Sequence, residues 1–339
     1  MKILNVNMSI DPVLGGGTAE RTMQISRAFI RKGHKSAILT TNQGLNSSFI
    51  REVNDLECII IRNVNHRYFI PIITIPRLIS IISRFDIVHI TNHWNILNSI
   101  VTFTALKIGV PYIITPAGSL HVFGRSRRKK ALYNILFGKK IVQNASGRVA
   151  VNANEYAHYK SYGISKNEVV VIPNGVDPNQ YYPIKDSWIR AGYDLKKIRY
   201  ILFMGRLNKI KGPDILLKAF LLIQNQHRNM HIIFAGPDGG MMHQLKELAS
   251  ANNLNDRLHF VGFLGSAEKL KAYYNAEFIV IPSRQEAMSI VVLEAGMAGK
   301  SVLMTDQCGF NIIQTIGGGH IVKTTISDVS RGLTKMLSD

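Results

Sequence analysis

The chain of 339 residues is longer than one ordinary domain and suits two of about 150 residues each. Its composition, 46% apolar and 19% charged, excludes a disordered chain, and two distant cysteines, Cys58 and Cys308, exclude a disulfide framework, so a reducing cytoplasm is expected. The net charge of +19 is uneven: 22 basic against 8 acidic residues up to Gly175, a balance of +14, then 19 against 14, a balance of +5.

Taken in chain order, KILNVNM reads as an apolar strand, and the loop after it carries Gly15, Gly16 and Gly17. The apolar run there is too short and broken for a secretory leader. TAERTMQISRAFIRKG has helical periodicity and ends at Gly33; HKSAILTT is strand again. The most apolar stretch, 68–83, contains two prolines and an arginine and falls short of the about 20 residues of a membrane span. FDIVHIT, PYIITPAG and SGRVAVNA follow as short β-branched runs. Between the last two lies RSRRKKALYNILFGKK (125–140), with seven cations and no acid, a pattern that attracts phosphates or an anionic bilayer. Leu132, Tyr133, Ile135, Leu136 and Phe137 stand between its basic clusters as an amphipathic helix; a core-packed helix with a basic outer face is the plainer reading.

VVVIPNGVDPNQYYPIKD, rich in Pro, Asn and Asp, reads as a linker. Beyond it, RYILFMGR, MHIIFAGP, RLHFVGFLG, EFIVIPS and SVLMTD alternate with helical segments. Strands alternating with helices of 10 to 15 residues imply parallel sheets. The fold class expected is α/β, two doubly wound Rossmann-like parallel-sheet domains facing a cleft, with ligands beyond the carboxyl ends of the strands.

The chemistry sits at those strand ends. LFMGRLNKIKG places Arg206, Lys209 and Lys211 directly after a strand, and Gly212 and Pro213 open the next helix. Cations beside a helix N-terminus suit a diphosphate. EFIVIPS, RQEAMS and IVVLEAGMAG read as strand, loop and a helix that Ser289 can cap. Glu286 then lies in the loop and Glu294 a little over one turn into the helix, with the backbone N–H groups of Met288, Ser289 and Ile290 expected to be free for an anion or hydroxyls. Carboxylates only accept hydrogen bonds, so two of them near a phosphate site suggest a polyhydroxylated ligand.

GRLNKIKG, VGFLG and EAMSIVVLEAGMAGK, with GGGTAER near the start and VIPNGVD at the centre, resemble the retaining glycosyltransferases of family 4, which have the two-domain GT-B fold. The resemblance covers essentially the whole chain. It implies an acceptor-side domain over 1–170, a linker over 171–195 and a donor-binding domain over 196–339, the chain stopping where relatives usually continue into a helical tail. It implies that Arg206 and Lys211 hold the donor diphosphate, Glu286 the transferred sugar and Glu294 the ribose. Gly15, Gly16 and Gly17 would approach the donor or acceptor, and Val261, Phe263 and Leu264 would border the base. Where the family often carries a histidine in a TPHG-like loop, this chain has Ala117; His121 close by is a candidate for the acceptor side, and His89, His93 and Trp94 in VHITNHW for the acceptor or sugar pocket, a structural histidine being the alternative for each.

No Asp-x-Asp occurs, so the usual ligand motif for a divalent metal is missing, and no cofactor beyond a UDP- or GDP-linked sugar donor is expected. A nicotinamide enzyme is disfavoured because GGGTAE misses G-x-G-x-x-G. Basic charge keeps a nucleic-acid-binding α/β protein in view, but no binding module appears, so nucleic acid is not expected as a partner. The remaining alternative is an inactive or truncated transferase that still binds nucleotide sugar. The partners expected are a lipid-linked oligosaccharide acceptor and an anionic membrane surface, which place the protein peripherally on the inner face of the plasma membrane.

Overall fold

A computed structural model describes the chain except residues 65–69, 123–125, 185–187, 191–192, 196 and 339. Two compact units divide it, Met1–Gly175 and Val176–Asp339.

The first unit alternates strand and helix as the pattern predicts. Its strands are β1 (Lys2–Val6), β2 (Lys35–Thr41), β3 (Glu57–Ile61), β4 (Ile87–Thr91), β5 (Tyr112–Thr115), β6 (Gly147–Ala150) and β7 (Val170–Val171). They form one sheet in the order β3-β2-β1-β4-β5-β6-β7, parallel throughout. The helices are α1 (Gly17–Arg31), α2 (Ser47–Glu52), α3 (Ile75–Ile82), α4 (Ile96–Lys107), α5 (Arg127–Tyr133), α6 (Lys139–Gln143) and α7 (Glu155–Lys160). Residues 2–6 read as a run rather than an alternation because both faces of β1 are covered. Helix α1 has Glu20 in its first turn and Arg31 in its last, the charge order its dipole favours, and Gly33 ends it with φ +81°. The core gathers Leu4, Val6, Leu39, Val88, Ile90, Val101 and Ile114, all out of water. Each such side chain contributes about 1.5–3 kcal/mol.

The second unit opens with a short antiparallel pair, β8 (Ile189–Arg190) and β9 (Tyr193–Asp194). Its main sheet comprises β10 (Arg199–Met204), β11 (Met230–Ala235), β12 (Leu258–Gly262), β13 (Ile279–Ile281), β14 (Val302–Thr305) and β15 (Gly319–Val322). The order is β12-β11-β10-β13-β14-β15, again parallel. Helices α8 (Pro213–Leu221), α9 (Met242–Ala251), α10 (Ser266–Asn275), α11 (Ile290–Met297) and α12 (Ile326–Ser338) connect or close these strands. One face of the sheet buries Phe203, Phe220 and Phe234 with Leu333 of α12, and the other buries Tyr200, Leu202 and Tyr273.

The stretch 171–195, read as a linker, is partly ordered into the units. Val170 and Val171 pair with Val149 and Ala150 as the seventh strand of the first sheet. The basic stretch starts with Ser126 in a left-handed conformation and runs through α5, a π-helical turn over Asn134–Gly138, and α6. Arg125 lies outside the described residues.

Candidate functional site

In each sheet the strand order reverses at one point: between β1 and β4 in the first unit, and between β10 and β13 in the second. Ligand crevices in doubly wound sheets form at the carboxyl ends of strands flanking such a point. The loops found there carry most of the residues singled out in the sequence.

In the second unit, loop 205–212 follows β10. Gly205 (φ +152°) donates its N–H to the Ala235 carbonyl at 2.8 Å, and a side chain at Gly236 would collide with the Gly205 carbonyl. Gly239 lies against the aliphatic stem of Arg206 and leaves it room. The Asn208 side chain accepts from the Lys211 N–H at 2.9 Å, which curls the loop. Gly212 then caps α8 at φ +71°, so close to the Pro282 carbonyl that a Cβ has no place, with Pro213 at the first helical position as expected.

The loop after β13 is clamped onto this one. The Arg284 guanidinium donates to both carboxylate oxygens of Asp214 at 2.8 and 2.7 Å and to the Lys209 carbonyl at 2.6 Å. Its backbone N–H donates to the Ile210 carbonyl at 2.7 Å. Burial pushes the Asp214 carboxyl up, but the hydrogen bonds and charge of Arg284 hold it below the ordinary range. The clamp brings Lys211 Nζ to 3.0 Å from Glu286 Oε1. Ser283 Oγ donates to the same oxygen at 2.6 Å, and the Glu286 N–H donates to the Gln307 carbonyl at 2.9 Å. The Glu286 side chain is 9% exposed and that of Lys211 32%, so the acid is enclosed rather than open and the lysine meets water. Beside them the Cys308 thiol is pushed up to about 12 by burial and the Glu286 charge, which keeps it neutral.

Glu294 lies in α11, buried, with three donors: Tyr273 OH at 2.6 Å, Lys269 Nζ at 2.8 Å and Tyr181 OH at 3.2 Å. Each of the two acids is thus paired with a lysine. Ser289 stands at the N-cap of α11, but its hydroxyl makes no capping bond; buried, it has no partner among the described residues. Its N–H is not free either, since it donates to the Cys308 carbonyl at 3.2 Å. Met288 precedes it, and Ile290 opens α11, whose first-turn N–H groups have no intrahelical acceptor. Of the three residues expected near a base, Val261 and Leu264 are core, and only Phe263, 44% exposed beyond the left-handed Gly262, offers surface.

In the first unit, Gly15 is packed against the Ser9 carbonyl and Ala19, Gly16 turns the chain at φ +55°, and Gly17 starts α1. Asn92 (φ +68°) and Ala117 (φ +50°), at the ends of β4 and β5, hold left-handed conformations rare for side-chain-bearing residues, a kind of strain that concentrates at functional sites. His89 is held between Asn5 Oδ1 at 3.0 Å and Thr115 Oγ1 at 2.8 Å, and burial with the Arg21 charge lowers it to about 3. His93 is enclosed by Trp94, Tyr133 and Tyr162, bonded to Asn134 Oδ1 at 3.0 Å and lowered by burial to about 4. At 1% exposed it has no surface of its own to offer a ligand. His121 is exposed and faces His158.

Sequence reasoning missed the Arg284–Asp214 clamp, Lys269, Tyr273 and Arg21. The last is buried, with Nε and Nη1 unpartnered among the described residues, and burial lowers its guanidinium to about 10. Buried Glu155 nearby accepts from Gly118 N–H at 2.5 Å and Val151 N–H at 2.7 Å, fixing the turn after β5.

Two domain families match the chain: Glycosyltransferase Family 4 over residues 15–180 and Glycosyl transferases group 1 over 187–339. It is 24% identical to an uncharacterized glycosyltransferase of Methanocaldococcus jannaschii, over all of this chain and 90% of that one. It is 29% identical to the D-inositol 3-phosphate glycosyltransferase of Nocardia farcinica over 51% of this chain, spanning only 40% of that protein. Among solved structures it is similar to Anabaena HepE in complex with UDP and glucose, with TM-score 0.76 and 16% identity over all of this chain and 90% of HepE. WaaG, a glycosyltransferase involved in lipopolysaccharide biosynthesis, gives TM-score 0.69 and 18% identity over 99% of this chain and 90% of WaaG. At these identities the two structures speak for the fold.

Proposed function

The chain belongs to the family 4 glycosyltransferases of GT-B fold, and from that premise we propose that it moves a hexose-type sugar from a UDP- or GDP-linked donor to a lipid-linked glycan in cell-surface polysaccharide synthesis. In this reading the anomeric configuration is retained, and neither a metal ion nor a cofactor is used. The observation that carries the donor half is the Lys211–Glu286 pair at the β10/β13 reversal.

A donor diphosphate gives Lys211 and Arg206 an anionic partner and leaves Glu286, still held by Ser283, to accept from sugar hydroxyls. The Ser289 hydroxyl, without a partner among the described residues, and the first turn of α11 offer further donors to a phosphate. Breaking the C1–O bond leaves negative charge on the diphosphate, and fixed cations stabilise it where a metal otherwise serves. The acceptor hydroxyl forms the new C1–O bond on the same face, and its proton passes to the departing phosphate oxygen, so no covalent enzyme intermediate is needed. The ribose is assigned to Glu294 and the base to Phe263. HepE has been seen with UDP and glucose, which supports a nucleotide-sugar donor.

The membrane half rests on Leu132, Ile135, Leu136 and Phe137, all exposed beside Arg127, Arg128, Lys129, Lys139 and Lys140. Tyr133 departs from the expected apolar face: it turns inward, its hydroxyl donating to the His93 carbonyl at 2.7 Å. Among the described residues no helix is long and apolar enough to cross a membrane, so binding in this reading is peripheral. The testing experiment is product analysis with UDP- and GDP-sugars and a lipid-diphosphate-linked acceptor in EDTA. Transfer with retained configuration supports the proposal. Absence of transfer that Mn²⁺ restores overturns the metal-free mechanism, and absence under all conditions favours a binder without activity.

A further inference from the structure

At the reversal between β1 and β4 runs a chain of side-chain hydrogen bonds whose direction is set by two backbone carbonyls. Carbonyls only accept, so the role of each group bonded to them is fixed in turn. Asn7, buried just past β1, donates from Nδ2 to the Thr18 carbonyl at 3.0 Å and to Thr22 Oγ1 at 2.9 Å. Thr22 Oγ1 gives its own proton to that same carbonyl at 2.8 Å. Asn7 Oδ1 is therefore turned the other way, as an acceptor. Thr18 Oγ1 donates to the Gly15 carbonyl at 3.0 Å, so towards any other partner it too is an acceptor. Both acceptors meet Asn92, whose Nδ2 donates to Asn7 Oδ1 at 3.4 Å and to Thr18 Oγ1 at 3.2 Å. The Asn92 amide thus has one permitted orientation, with its nitrogen inward.

The oxygen is the end left over. No described residue donates to Asn92 Oδ1, and it is not shut away from water, since the residue is only half-buried. The backbone is held as firmly as the amide. Its N–H donates to the Thr115 carbonyl at 3.1 Å, and its carbonyl accepts from Asn98 Nδ2 at 3.1 Å. These bonds keep Asn92 at φ +68°, a conformation that costs glycine nothing. Ala117, just past the neighbouring strand β5, is left-handed as well. Backbone strain persists where its surroundings over-determine it, and it clusters at ligand sites. A fixed amide oxygen repels the oxygens of phosphate and carboxylate and accepts from a hydroxyl.

We propose that Asn92 Oδ1 is a specificity contact for the acceptor, receiving a hydrogen bond from one hydroxyl of a neutral hexose. The assignment deepens the acceptor half of the proposed function and rests on that reading for its purpose, while the binding is measurable without turnover. The experiment titrates the isotope-labelled full chain, by NMR, with the methyl glycosides of glucose, galactose, mannose and N-acetylglucosamine. The Asn92 side-chain amide signals are identified by their loss in Asn92→Gly, a variant that keeps the left-handed backbone without strain. One glycoside is expected to shift those signals saturably and to bind Asn92→Gly about tenfold or more weakly, with melting temperature and UDP affinity unchanged. One monodeoxy analogue of that glycoside should bind wild type and Asn92→Gly alike, which a purely structural role would not produce. No shift with any of the four glycosides, or equal binding by Asn92→Gly, would overturn the assignment even in an enzyme that transfers sugar. Weaker binding of every analogue together with a lower melting temperature would make Asn92 structural and overturn it too. Sugar binding that depends on Asn92 without any transfer would instead count against the transferase reading alone.

Discussion

Glu286 and Glu294 have the same charge, and each is enclosed and paired with a lysine. Glu294 is fixed by two tyrosine hydroxyls and Lys269 inside the unit, whereas the partner of Glu286 is the more exposed Lys211. Glu286→Gln keeps the shape and an acceptor for Ser283 but removes the charge. Transfer rate should fall on the order of a hundredfold with a small change in melting temperature, as for loss of one transition-state contact. Parallel loss of stability and rate would make Glu286 structural. His93 gives a second test. Its pKa is about 4 in the fold, against 6.5 for a free ring, so the unfolded chain takes up its proton first as pH falls. Its contribution is therefore complete above about pH 6.5 and declines between 6.5 and 4, by on the order of 3 kcal/mol. Urea midpoints across that window should drop steeply in wild type and less in His93→Gln; identical slopes would remove His93 from the account. Lys211 and Glu286 were legible because motif and strand-end position coincide. Arg284 and Asp214, 70 positions apart, were not, because no local pattern links a bidentate pair across a sheet.

At the scale of elements, the long apolar strands and α1 were legible because burial on both faces and a 3.6-residue period leave plain marks. Strand β7 was hidden in a Pro- and Asn-rich stretch, and β15 follows a run of glycines, so tertiary pairing rather than propensity makes them strands. The stretch 125–140 was read as basic and amphipathic; Leu132, Ile135, Leu136 and Phe137 are exposed as that reading expects, but Tyr133 turns inward and the π-turn was not foreseen. That turn accompanies the split between inward Tyr133 and Asn134 and outward Ile135 and Leu136. Each cation near an anionic bilayer contributes about 1 kcal/mol. Changing Arg127, Arg128, Lys129 and Lys130 to Ser should therefore abolish most co-sedimentation with anionic vesicles at low salt. Equal sedimentation of variant and wild type would show that this segment is not the anchor.

For the whole molecule, charge and chemistry divide along the chain. Residues up to Gly175 carry +14, the later ones +5, and the cations assigned to the donor diphosphate are only Arg206 and Lys211 of the second unit. The surplus in the first unit is more than the proposed donor chemistry requires, and part of it lies on the exposed stretch proposed to meet the membrane. The central claim is that the second unit grips a nucleotide diphosphate through Lys211, at the reversal of its sheet. Calorimetric titration of wild type and Lys211→Ala with UDP, GDP and the corresponding nucleosides, in EDTA, tests it most directly. The account predicts that one diphosphate binds wild type and loses about tenfold or more in the variant, with nucleoside binding unchanged. Binding of neither diphosphate, or equal losses for diphosphate and nucleoside, would contradict it.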